Sequence, residues 1–113
     1  MANVYRNAKV DFTTTGNTTV YTVPSNSRAI IKGILVSEDS GNADSISVTL
    51  TDASSNVFSL FKTKAVDTNT TVELLSQPLV MEEKEILKVQ ASDANELHVI
   101  ASILEIEPRE VTT

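Results

Sequence analysis

The chain has 113 residues, 41% of them hydrophobic, 4% aromatic and 21% charged, with a formal net charge of −6. That is enough length and apolar content for one domain with one core, so disorder is not expected. There is no cysteine, one histidine and three glycines, which excludes disulfides, thiolate catalysis, Cys-type zinc sites and a Gly-rich phosphate loop.

Residues 1–17 are expected to form an N-terminal arm or an edge strand. Their opening, MANVYRNAKVDF, has no apolar signal region and no cleavage pattern. No apolar run approaches the roughly 20 residues of a membrane span, so a soluble, cytosolically made protein is expected. Residues 13–19 are rich in Thr, Gly and Asn and read as a turn. Val20, Tyr21 and Val23 make a short strand that stops at Pro24, with a turn over 24–27. Residues 29–36, AIIKGILV, are a nearly continuous apolar run. Such a run suits a strand buried on both faces, or one with a face in an oligomer contact. Gly33 in its middle predicts a bulge or a close backbone approach.

A polar loop, SEDSGNAD, follows over 37–44. Ile46, Val48 and Leu50 then alternate with Ser45, Ser47, Thr49 and Thr51, the period-2 pattern of a half-buried strand. Further strands are predicted at 57–61, around Val72 to Leu75, at 79–81 after Pro78, at 86–91 and at 97–106. The last carries Leu97, Val99, Ala101 and Ile103 on one parity and His98, Ile100, Ser102, Leu104 and Ile106 on the other. No stretch holds a 3.6-residue period without a turn interrupting it. The expected fold is all-β: an antiparallel β-sandwich, jelly-roll-like, of about seven to eight strands over residues 18–107. A frayed tail is expected over 108–113.

Chemistry is scarce. His98 lies inside an alternating strand and is expected to be an exposed or edge-facing residue. No GxSxG elbow exists. Glu82, Glu83 and Glu85 share one turn and read as a solvated hairpin tip. Asp39, Asn42 and Asp44 offer oxygens of the kind calcium takes, but their spacing fits no EF-hand loop. A plain turn is the expectation there. No catalytic, cofactor-binding or metal residue is assigned, and an enzyme is not expected. Lys and Arg are scattered in an acidic chain, which argues against nucleic acid and anionic membranes as partners.

Surface is what remains. Residues 29–36 and 97–106 are apolar on both parities, yet a lone sandwich needs one apolar parity per strand. The surplus is covered either by loops or by neighbouring subunits. Tyr5 and Phe12 of the arm and Ile30, Ile34 and Val36 of the apolar run are therefore the candidate contact residues.

The segment TVYTVPSNSRAIIKGILVSEDSGNADSISVTLTD resembles a pattern of small virion structural proteins of tailed bacteriophages. There a V-Y-T-V-P strand precedes a polar turn, an "AIIKGI" strand, a Ser/Gly/Asn loop and an alternating strand. The later segment VELLSQPLVMEEKEILKVQASDANELHVIASILEI continues the likeness, which spans residues 18–106. The resemblance implies a β-sandwich component of the virion without catalytic activity or cofactor. A capsid decoration or cement protein is the first expectation, and a neck, tail or baseplate component the second. The partners it implies are copies of itself, with a trimer favoured, and the major capsid protein or another virion protein. A carbohydrate- or receptor-binding module is the reading from another class, and the scarcity of aromatics argues against it.

Overall fold

The computed structural model describes residues 3–106; the tail expected over 108–113 falls outside them. All secondary structure in the described residues is strand. The elements are β1 (Asn3–Asp11), β2 (Thr18–Thr22), β3 (Arg28–Glu38), β4 (Asp44–Thr51), β5 (Val57–Val66), β6 (Thr71–Glu73), β7 (Leu79–Met81), β8 (Ile86–Ala91) and β9 (Leu97–Ile106).

They form two antiparallel sheets. One has the order β1-β9-β3-β6, with β7 also on β3; the other runs β2-β8-β4-β5. β6 pairs with β3 at Leu35 to Ser37, and β7 pairs with it at Ala29 to Ile31. The two are halves of one strand, interrupted before Pro78 because proline cannot donate to the ladder. Counted so, the described residues hold eight strands, four per sheet, in jelly-roll order, as expected. Residues 3–11 form an edge strand hydrogen-bonded to β9 along its whole length.

The core fills the space between the sheets. Ile46 and Val48 of β4, Leu87 and Val89 of β8, and Val99, Ala101 and Ile103 of β9 all point into it, as alternation demands. Each fully buried Ile, Leu or Val stabilises the fold by about 1.5–3 kcal/mol relative to exposure. The charged side chain of Glu105 enters this space. The Glu105 carboxylate accepts hydrogen bonds from Tyr21 Oη at 2.6 Å and Arg6 Nη2 at 3.1 Å. Both its oxygens are thereby satisfied, and β1, β2 and β9 are tied across the two sheets.

β3 is where the expected parity breaks. Ile31 pairs with Ile103 but Gly33 pairs with Ser102, so Lys32 is an extra residue, a β-bulge. Ala29 and Ile31 face the core before it; Ile34 and Val36 face the core after it. Gly33 is required here. The Glu73 carboxylate lies over it, accepting from the amides of Ile34 (2.7 Å) and Leu75 (3.1 Å). A Cβ at position 33 would stand 2.2 Å from Glu73 Oε1. The expected bulge stands beside this glycine, and what comes close to it is the Glu73 side chain rather than backbone.

Candidate interaction surface

The register of the five-stranded sheet defines its outward face. Tyr5, Leu104, Ile30 and Val80 stand side by side on β1, β9, β3 and β7. A second row sets Lys9, Ile100, Leu35 and Glu73 in the same order. Between them the small Ser102 and Gly33 form a low waist beside Asn7. An open, shallow depression there is lined by Tyr5, Asn7, Lys32 and Ser102. Tyr5 is 78% exposed, Val80 62%, Ile100 41% and Leu35 40%. All four lie on one sheet face, where half-buried Leu104 and Ile30 bridge Tyr5 to Val80 and Ile100 pairs with Leu35.

The expected contact residues divide. Tyr5 and Ile30 stand in the first row. Ile34 and Val36 do not: both are fully buried, because the bulge at Lys32 turned the rest of β3 over. Phe12 is also core, 1% exposed, where the chain leaves β1 and its amide donates to the Leu97 carbonyl. These three are corrected from contact to packing residues. Leu104 and Val80 were missed. Leu104 had a signal, since it shares its parity with Ile100 and Ile106. Val80 had none, because three residues carry no readable period.

A second apolar surface lies on the edge strand β5, where Val57 is 64% exposed, Phe58 53% and Leu60 36%. Lys62 and Lys64 continue the same strand, which contains no carboxylate. The register of β4 with β5 shifts twice, and Thr63 sits at φ 48° in the shift between the Ile46–Lys64 and Val48–Phe61 pairs.

One end of the sandwich is acidic. Its four loops and strand ends hold Asp11, Glu38, Asp39, Asp44, Asp67, Asp93 and Glu96 and no lysine or arginine. Glu38 is buried and accepts from Ser40, Gly41 and Asn69. The Ser40 hydroxyl is the largest of the causes that hold its pKa at about 2. Its role is to lock two loops together. Asp39 lies 3.6 Å from His98 Nδ1, while Asp11 lies 3.2 Å from His98 Nε2. Asp39 and Asp44, whose loop was expected to be a plain turn, thus have different neighbours. Asp44 instead meets Asp93 and Glu96, with one oxygen of each within 4.8 Å of the others. Burial, then Asp44, Asp93 and Glu38, push the Glu96 carboxyl up. Three carboxylates supply only part of the six to eight oxygens of a calcium shell. His98 is 45% exposed on the sheet's outward face, held between two exposed carboxylates.

No protein-family model matches the chain, and no curated protein matches it by sequence. Solved structures do share its fold. A protein of Bacillus endospore appendages, which form disulfide-linked pili, matches with a TM-score of 0.57 at 12% identity, over 95% of this chain and 89% of that one. A protein of the acid-stable capsid of Helicobacter pylori bacteriophage KHP30 matches with a TM-score of 0.53 at 15% identity, over 95% and 94%. These likenesses establish the fold. Disulfide linkage, as in the pili, is not available to a chain without cysteine.

Proposed function

We propose that this protein is a non-enzymatic structural component of a bacteriophage particle, a capsid decoration or cement protein that works by association. The observation that carries this is the apolar row Tyr5, Leu104, Ile30 and Val80, left open on the outward face of one sheet. An isolated domain gains nothing from such a row, whereas a subunit gains burial from it. The KHP30 capsid protein supports the reading by sharing the sandwich over nearly the full length of both chains. In this reading copies meet through the sheet face. The shell protein meets the β5 edge, where Val57, Phe58 and Leu60 adjoin Lys62 and Lys64. Many weak contacts repeated over a lattice then hold by avidity.

The carbohydrate reading needs an aromatic platform. Tyr5 and Phe58, the exposed aromatics, belong to different sheets and cannot make one. Antibody labelling of intact virions tests the decoration role. Label over the head is expected. Label confined to tails or necks would replace decoration with the tail-component reading, and absence from particles would end both.

A further inference from the structure

We infer that the outward face of the five-stranded sheet pairs with the same face of a second copy about a two-fold axis parallel to the strands. The inference rests on the reading of this protein as an associating component, and adds the partner and the geometry. It departs from the three-fold arrangement that the resemblance implies.

A two-fold axis along the strands, passing between β9 and β3, keeps the rows in register and exchanges the edges of the sheet. Tyr5 then faces Val80 of the other copy, and Leu104 faces Ile30. In the second row Ile100 faces Leu35 and Lys9 faces Glu73. Apolar groups meet apolar groups, and the one cation of that row meets its one anion, twice over. An axis across the strands instead exchanges the rows. It sets Val80 against Glu73 and Tyr5 against Lys9, leaving apolar surface and charges mismatched. Charge complementarity therefore selects the first axis.

The face is large enough. Four strands about 4.8 Å apart and about nine residues long, at about 3.3 Å per residue, cover roughly 570 Å² per copy and about 1,100 Å² per pair. That just clears the roughly 1,000 Å² expected of a specific interface, so a weak, concentration-dependent dimer is expected. The occupant must be apolar at the row and carry opposite charges at its two edges. A second copy meets both requirements.

The chain has no cysteine, so single cysteines report contacts without background. Tyr5→Cys and Val80→Cys change exposed side chains, and thermal melting checks that each variant folds. Under mild oxidation, a mixture of the two variants is expected to give a disulfide-linked pair, and either alone to give little. Lys9→Glu is expected to weaken the dimer at least tenfold in sedimentation equilibrium. Efficient Tyr5–Tyr5 or Val80–Val80 cross-linking would overturn the two-fold geometry. So would a dimeric wild-type protein that forms no Tyr5–Val80 link. A wild-type monomer that still labels virion heads would overturn the pairing and leave the decoration role standing.

Discussion

At the scale of single residues, the fold depends on a few polar side chains placed where the chain leaves regular structure. Glu38 gathers two loops, and its pKa of about 2 lies below the ordinary 4.5. A carboxylate with a depressed folded-state pKa contributes stability above its unfolded value and loses it as pH falls through the folded one. Glu38→Gln is therefore expected to be clearly less stable than wild type at neutral pH. The gap should close between about pH 4.5 and about pH 2, measured by urea unfolding at a series of pH values. A gap that does not change with pH would show that the carboxylate's charge is irrelevant. Thr63 presents the opposite case. A β-branched residue at φ 48° is strained, and glycine is at home there. Thr63→Gly is expected to hold or raise the melting temperature, by up to roughly 4 °C for about 1 kcal/mol recovered. At this scale the sequence showed where polar residues cluster, but not which of them meet. Asp44 finds Asp93 and Glu96 only because β8 and β9 deliver their loop to the start of β4.

At the scale of elements, the bulge in β3 is the decisive feature. Gly33 marked its position in advance, because a glycine inside an apolar strand implies a bulge or a close backbone approach. Which residue would become the extra one was not legible, and that choice decides everything after it. One residue of slip turns Ile34 and Val36 from surface to core. Gly33→Ala is expected to expel the Glu73 carboxylate and strand the Ile34 amide, costing about 1–3 kcal/mol. In a Glu73→Ala background the same change should cost much less, and a double-mutant cycle by thermal unfolding reads the difference. Equal costs in both backgrounds would mean that Glu73 does not hold the bulge. The far half of β5 was also hidden. Residues 62–65, KTKA, carry no alternation because they lie on an exposed edge strand with neither side packed on the core. The split of β6 from β7 was read correctly as a break at Pro78, but not as one strand in two parts. Nothing in three-residue segments says that both lie on β3.

At the scale of the whole molecule, alternation and turn placement were sufficient for the sandwich, since every strand with a clear period of two faces the core as its pattern requires. The apolar surplus on β3 and β9 was visible too. Its location was not, because the outward row is assembled from four strands, and Tyr5 and Leu104 are neighbours only through the β1–β9 register. The central claim is that this row is an interface. Light scattering coupled to size-exclusion chromatography, on the full chain from about 1 μM to about 500 μM, tests it most directly. Wild type is expected to rise from monomer toward dimer mass across that range, and Val80→Asp to remain a folded monomer throughout. A wild-type protein that stays monomeric to the highest concentration, or a Val80→Asp variant that associates equally well, would contradict it.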